Sequence, residues 1–462
     1  MKPVAPAPFV HAGFSGLIGV GRGDITPPVG INHRNWGAAR QDVAEGIHRP
    51  LTITALTLQA NEKDSPFVLV ASDLGWWQNL DDEWFVRGGL IETLSLDPSR
   101  VMMNLAHSHA GPAISRDHAD RKGGEFIVPY LGKVREALIT ATRHALHTRA
   151  TATLSWSHGK CNLATNRDLP DPSKPRIVCG FNPGNKADDT VLVGRVTNRG
   201  GRILATVVNY ACHPTTLAWD NRLISPDYVG AMREVVEAET SGAPCLFLQG
   251  ASGELSPREQ YLGDTAVADS HGRHLGYSVM AVLEGMLPHE TSLSYTGTVE
   301  SGAPLAIWQR AAQKPSTSLT GMQLNVEVPL KKLPSLEEID AELKTCEDRV
   351  MRERLTRKRH VSRIVGSGPT TLRRVWIWRL GDAFVVGQSD EAYSLLQTEL
   401  RRIFPDHPVV VMNLVNGACG YLAPQEHYEH DIYQVWQSPF ARGCLEAVVK
   451  ACEGAMRKMS AR

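Results

Sequence analysis

Two histidines one residue apart, His107-Ser108-His109, are the first residues in this chain whose types and spacing could do chemistry. Imidazole is the commonest nitrogen ligand for zinc, and side chains at i and i+2 share a side only in extended backbone. Two unrelated surface histidines would look the same. The setting favours a site: the apolar run Val101 to Leu105 comes before, and the tight turn Ala110-Gly111-Pro112 follows. His213 ends a second apolar run, Ile203 to Tyr210, and precedes Pro214. A core histidine with one satisfied hydrogen bond fits that position equally well. Asp227 reads either as a carboxylate that holds an imidazole from behind or as a first-turn acid facing a helix dipole. Glu391 stands at a strand-to-helix junction, where an ordinary N-terminal helix acid also belongs. Asn416-Gly417-Ala418-Cys419-Gly420-Tyr421 is a glycine-rich turn that presents a phenol, although aromatic residues in turns more often pack.

Other chemistries lack their patterns. Gly250 to Pro257 is a flexible turn with hydroxyls and one carboxylate, Glu254, and does not match the GxSxG nucleophile elbow. Gly19, Gly21 and Gly23 give GxGxG rather than GxGxxG, which supports a dinucleotide fold poorly. There is no GxxxxGK[ST] and no HExxH.

The elements that must hold these residues can be read from pattern. Strands are expected over Gly16 to Asp24, Leu51 to Leu58, Phe67 to Ala71, Val101 to Leu105, Val191 to Val196, Ile203 to Tyr210, Cys245 to Leu248 and Val409 to Leu414. A further hairpin is expected around Gly381-Asp382. Helical spacing predicts helices over about 126–147, 266–285 and 391–403. Ser225-Pro226-Asp227 reads as a helix start, with a cap, a first-turn proline and an acid. Ser335-Leu336-Glu337-Glu338 is a capping box opening a charged helix to about 360, an insertion or an arm for self-association. Asp73, His107, His213, the loop after Leu248, Glu391 and Tyr421 all fall just past strand ends, where α/β proteins collect their sites.

Composition narrows the class. The 462 residues carry 49 Lys+Arg against 49 Asp+Glu, so the excess positive charge of a nucleic-acid or polybasic membrane-surface protein is missing. At 42% hydrophobic and 21% charged the chain is too apolar for disorder. No apolar run approaches the roughly 20 residues a membrane span needs, and the first residues do not read as a signal peptide. The eight cysteines form no CxxC pair, so a reducing cytoplasm is the expected compartment.

Taken in order, the fragments resemble the neutral/alkaline (non-lysosomal) ceramidases, zinc-dependent amide hydrolases. Gly19 to Thr26 is similar to the family's opening GxGxxDIT, and Ala106 to Pro112 to its THTHSGP. Asn166-Arg167 resembles NRSP, and His213-Pro214-Thr215 with Leu223 to Asp227 resembles HPT…LISxD. Gly253 to Pro257 is similar to GDVSP, and Glu391 falls where the family has the Glu of GExF. Tyr421 and Tyr433 match two family tyrosines, with the separation 433 − 421 = 12.

The resemblance implies an α/β fold of mixed sheets layered with helices. It also implies a Zn2+ held by His107, His213, Glu391 and Tyr421. It puts His109 and Tyr433 at the substrate carbonyl, Arg167 near the pocket, and Ser256 within reach of the metal water or a substrate group. Zinc lowers the pKa of a bound water from about 15.7 to about 7. The implied reaction is attack of that hydroxide on an N-acyl carbonyl, with Glu391 or a neighbour taking the water proton. His109 and Tyr433 would stabilise the oxyanion and His109 would protonate the leaving amine. An ester or lactone could be cut by the same site, and an inactive ligand-binding member is the other alternative. Departures are Ala106 and Ala110 in place of hydroxyl residues, and Glu254 in place of Asp. The 462 − 433 = 29 residues after Tyr433 read as too few for the family's C-terminal immunoglobulin-like domain. The expectation is therefore one catalytic domain over 1–462 with a charged helical insertion at about 335–363. Its substrate would be a small molecule other than ceramide, and a homo-oligomer is admitted. Asn32, His33, Asn35 and Trp36 are candidates to bind a more polar substrate.

Overall fold

The apolar runs that read as strands alternate between two cores rather than between core and water. In Phe67–Ser72, for example, Phe67, Leu69 and Ala71 face one cluster while Val68 and Val70 face another. A computed structural model, which describes residues 6–461, shows why. An eight-stranded sheet packs against a four-stranded one, and helices cover the outer face of each. The layers run helix, sheet, sheet, helix, so strands such as Phe67–Ser72 and Val409–Met412 are buried on both sides and their sequences are almost continuously apolar.

The large sheet has the order Cys245–Gln249, Ile203–Tyr210, Thr190–Asn198, Ala150–Lys160, Gly13–Asp24, Thr52–Gln59, Phe67–Ser72, Val101–Leu105. Its interior pairs are antiparallel and its two outermost pairs are parallel. The sheet curls until its edge strands meet, with Gln249 N–H donating to Asn104 Oδ1 at 2.9 Å. The small sheet has the order Leu319–Pro329, Thr370–Leu380, Ala383–Gln388, Val409–Met412, again ending on a parallel pair. Its Trp376, Trp378, Val385, Val410 and Met412 meet Leu56, Leu69 and Leu248 of the large sheet in the shared core.

Helix Ile127–Thr148 lies on the outer face of the large sheet, and Gly19 and Gly21 explain how closely. A Cβ on Gly19 would come within 1.9 Å of the Ala145 carbonyl oxygen, and one on Gly21 within 2.1 Å of that of Ala141. The GxGxG run is a seat for a helix backbone. Helices Tyr228–Glu239 and Thr265–Gly285 cover the rest of that face. Leu395–Ile403 and Cys444–Ser460 cover the small sheet.

Several boundaries differ from expectation. The helix after Ser225 starts at Tyr228, because Asp227 itself is the cap, at φ 55°. The expected 391–403 helix starts at Leu395, because Glu391-Ala392 pair in parallel with Tyr421-Leu422. The charged segment is two helices, Leu336–Thr345 and Arg349–Val365, and Asp348 caps the second. The capping box at Ser335 and Glu338 is present. Strand Ala150–Lys160 and the exposed hairpin Thr291–Glu300 with Pro304–Ala312 were not legible. Among the described residues, no helix is long and apolar enough to cross a membrane.

Candidate metal centre and active site

Each side chain at the site hangs from the end of a strand that is held on both flanks. His107 follows Val101–Leu105 with its N–H on the Leu74 carbonyl (3.0 Å) and its backbone at φ 70°. The turn behind it is pinned by Ser108 Oγ donating to Ser225 O (2.7 Å) and by Asn35 Nδ2 donating to Gly111 O (2.7 Å). His213 follows Ile203–Tyr210, and its N–H donates to Leu255 O (2.9 Å). Glu391 follows Ala383–Gln388, and its parallel register sets it directly beside Tyr421.

These three strand ends converge. His107 Nε2 is 3.2 Å and His213 Nε2 is 3.0 Å from the same oxygen, Glu391 Oε2. The far nitrogens are committed elsewhere. His213 Nδ1–H donates to Ser252 O (2.7 Å), and His107 Nδ1–H donates to Gly75 O (3.3 Å). A backbone carbonyl on Nδ1 fixes the tautomer that leaves the Nε2 lone pair free. Two nitrogen lone pairs then face one carboxylate oxygen, three acceptors that a shared cation would satisfy beside the Arg167 donor 3.3 Å from His213 Nε2. His107, His213 and Glu391 form a group whose ligand atoms lie within 4.8 Å of one another. Two imidazoles and a carboxylate suit zinc, whose ligand bonds of about 2.0–2.1 Å give a tetrahedral edge of about 3.3 Å.

The electrostatics agree with a neutral His213 and an ionised acid. Burial, with the Arg167 cation beside it, brings His213 down to about 3. Burial alone would raise Glu391, but the two imidazoles hold it well below the usual carboxylate range. Burial opposes the charge on Arg167 too, yet Tyr421 and Glu391 among its neighbours keep it a cation. Its guanidinium donates to Gly253 O (2.7 Å) and reaches His213 Nε2 (3.3 Å) and Tyr421 Oη (3.4 Å).

The remaining expected residues surround this core. The His109 ring centroid is 4.7 Å from that of His107, and among the described residues neither of its buried nitrogens has a partner. Burial and the two neighbouring imidazoles keep it well below its ordinary pKa, so it is a neutral ring with an N–H to give. Tyr433 packs edge-on against Tyr421 at 5.8 Å. Its helix, Tyr433–Gln437, is tied down by Gln434 Nε2 donating to Asp168 Oδ1 (2.7 Å) and by Ser438 Oγ donating to Tyr421 O (2.6 Å). Ser256 lies one residue past the Leu255 carbonyl that His213 uses, and its buried hydroxyl has no partner. Glu254 accepts from the Ser394 N–H (2.9 Å), and burial pushes its carboxyl up to about 7.

Two expectations change. Asp227 holds no imidazole; its oxygens accept from Leu217 N–H (2.9 Å) and Tyr228 N–H (2.7 Å). Asn32 Nδ2 donates to the Asp42 and Lys122 carbonyls, while His33 Nε2 and Asn35 Nδ2 bond the Ala110 and Gly111 carbonyls and brace the His107–Pro112 turn. Trp36 alone of that group faces the site, with its ring 5.0 Å from His109. It joins Trp219 and Tyr261 in a cluster with every centroid separation 5.8 Å, and Trp76 covers His109 from another side at 4.8 Å. This aromatic wall was missed, because its members come from four separate loops with no shared spacing.

The sequence pattern described as neutral/alkaline non-lysosomal ceramidase, N-terminal, matches residues 17–259, more than half of the chain. The fold is similar to the crystal structure of neutral ceramidase from Pseudomonas aeruginosa, with a TM-score of 0.68 at 17% identity over 95% of this chain and 73% of that one. It is also similar to a ceramidase complexed with C2, with a TM-score of 0.67 at 16% identity over 96% of this chain and 75% of that one. No curated protein matches the sequence. The extent of the family match, on the residues that carry His107 and His213, shows that the chain belongs to the neutral/alkaline non-lysosomal ceramidase family.

Proposed function

We propose that this protein is a zinc-dependent hydrolase of a C–N amide bond in an N-acyl substrate, and that residues 1–462 act as one catalytic unit. The observation that carries the reading is the convergence of two Nε2 lone pairs on one Glu391 oxygen, each ring fixed from behind by a backbone carbonyl. His107, His213 and Glu391 would hold the ion, with the Tyr421 phenol oxygen as the fourth protein ligand. When bound, zinc would make a water ionisable near neutral pH and polarise a carbonyl.

The chain's own groups supply the rest. Arg167 is a buried cation beside Tyr421 and His213, positioned to balance negative charge that develops at the carbonyl. His109, a neutral ring with unpartnered nitrogens, offers an N–H to the oxyanion, and the Tyr433 hydroxyl offers a second from the far side. Donors of this kind contribute about 10²–10³ in rate each when they are preorganised. The Trp36, Trp219 and Tyr261 cluster gives the acyl portion an apolar wall and keeps water off the reacting carbonyl.

Metal analysis of the purified protein, together with hydrolysis of an N-acyl series, tests this reading. The expected result is one equivalent of zinc and chelator-sensitive release of free fatty acid. Full activity after the metal has been removed would refute it.

A further inference from the structure

Helix Arg349–Val365 carries seven Lys or Arg side chains and a single acid, Glu353. It is seated between the loop that bears Trp36 and the helix that bears Tyr433 and Trp436. On one side Arg34 Nε donates to Glu353 at 2.8 Å, Arg349 pairs with Asp42, and Val350 lies against Gly37. That is the loop whose Trp36 meets His109. On the other side the Arg354 guanidinium lies over the Trp436 ring at 5.8 Å, and Trp436 packs edge-on against Tyr433 at 5.1 Å. His360 fixes the far end through Asp117 at 2.8 Å.

Val350, Arg354, Arg357 and Val361 are spaced i, i+4, i+7, i+11 and share one stripe of the helix. Val361 packs on the outer core of the small sheet, so Arg357 is bracketed between that contact and the Trp436 contact, a turn from the ring that packs on Tyr433. Three of the other six cations are committed. Arg349 pairs with Asp42, Arg359 pairs with Asp340 at 2.6 Å, and Arg352 donates to the Leu343 and Cys346 carbonyls. Arg357 is exposed and, among the described residues, has neither an ion pair nor a hydrogen bond. The one acid on its own helix is taken by Arg34, and helix Tyr433–Gln437 carries none.

We propose that Arg357, with Arg354 a turn away, selects substrates bearing an anionic group, a carboxylate or a phosphate, next to the amide that is cut. A guanidinium fork matches such an anion with two parallel hydrogen bonds, whereas a neutral hydroxylated head group such as that of a ceramide leaves it unanswered. The substrate class is then an N-acyl compound with an acidic head group. This inference rests on the amide-hydrolase reading above.

The test uses one acyl chain on three heads: N-dodecanoylglycine, phosphorylated N-dodecanoylethanolamine, and the neutral N-dodecanoylethanolamine. The wild type is expected to prefer at least one anion by about tenfold or more in kcat/KM, the size of one charge-assisted contact. Which anion leads distinguishes carboxylate from phosphate. R357Q should bring the ratio close to one, chiefly through KM for the anion, R357K should restore part of it, and R363Q at the exposed end of the same helix should leave the ratio alone. A ratio near one in the wild type, or equal losses for anion and neutral compound in R357Q, overturns the proposal. Calorimetry with the uncleavable dodecyloxyacetate and dodecyloxyethanol separates the two readings. Arg357-dependent preference for the acid without any amide hydrolysis keeps the anion site and removes the hydrolase. Hydrolysis without charge preference does the reverse. Absence of both removes both.

Discussion

Glu391→Gln separates a metal site from a buried salt bridge, because the two readings predict different melting behaviour for the same substitution. As a salt bridge, the carboxylate would pair with protonated His107 or His213 at 3.2 and 3.0 Å. Removing one partner of a buried pair costs about 3–5 kcal/mol. As a metal site, the rings are neutral and Nε2 is an acceptor in each. A glutamine amide then donates to one lone pair, so the metal-free variant should lose about 1 kcal/mol or less. For 462 residues the unfolding entropy is about 1 kcal/mol/K, so each kcal/mol shifts Tm by about 1 °C. In excess chelator the variant is expected to melt within about 1 °C of the wild type. With zinc at 100 times its Kd the wild type should gain about 2.7 kcal/mol, or about 3 °C, and the variant nothing. Differential scanning calorimetry of both proteins with and without chelator reads all four values. A variant that melts about 3–5 °C low in chelator, beside a wild type indifferent to zinc, would refute the lone-pair argument.

The other predictions address separate links. His107→Ala and His213→Ala should lose bound metal and turnover together, whereas His109→Ala and Tyr433→Phe should keep the metal and lose about 10²–10³ in kcat. Metal content per chain beside steady-state rates checks the division, and equal metal loss in all four would break it. Gly21→Ala should destabilise by about 3 kcal/mol or more, because its Cβ meets the Ala141 carbonyl oxygen at 2.1 Å and the helix must lift off the sheet; urea unfolding measures it. Burial, with Arg121 beside it, brings His118 down to about 3. A histidine depressed in the fold contributes stability above its unfolded pKa of about 6.5 that is lost as pH falls. Between pH 7 and pH 5 its share of that loss is about 2 kcal/mol. His118→Gln should flatten the stability profile by that amount, and an unchanged profile would show that the ring is not the group responsible.

What the sequence disclosed depended on whether a signal was local. The strands before His107 and His213 are largely apolar, interrupted by Asn104, Thr206 and Asn209, because both faces are mostly buried, and that run is visible without any partner. Strand Ala150–Lys160 has an exposed start and end and a mixed face, so its run is short and it was not read. Glu391 was placed at the right junction, but its helix was begun four residues early. The Glu391–Tyr421 bridge that delays it joins residues 30 apart, which no local pattern records. The same limit applies to Asn35. An amide in a glycine-flanked loop looks available for a ligand, and only the fold shows its donor already given to Gly111 O.

Arg167 shows how the fold and the chemistry depend on each other. A buried guanidinium costs several kcal/mol unless its donors are answered. Here the answer is the Gly253 carbonyl, which belongs to the loop that also carries Ser252, the residue holding His213 from behind. One backbone segment therefore fixes a ring nitrogen and the cation that lies beside the same ring. Gly253 itself can be nothing larger, since a Cβ there would stand 2.7 Å from the Tyr393 ring and 3.1 Å from the Glu391 carbonyl oxygen. The loop is pressed against the strand end that bears the carboxylate. His213, Arg167 and Glu391 are thus coupled through this one packing contact, and moving any of them by an ångström would displace the other two.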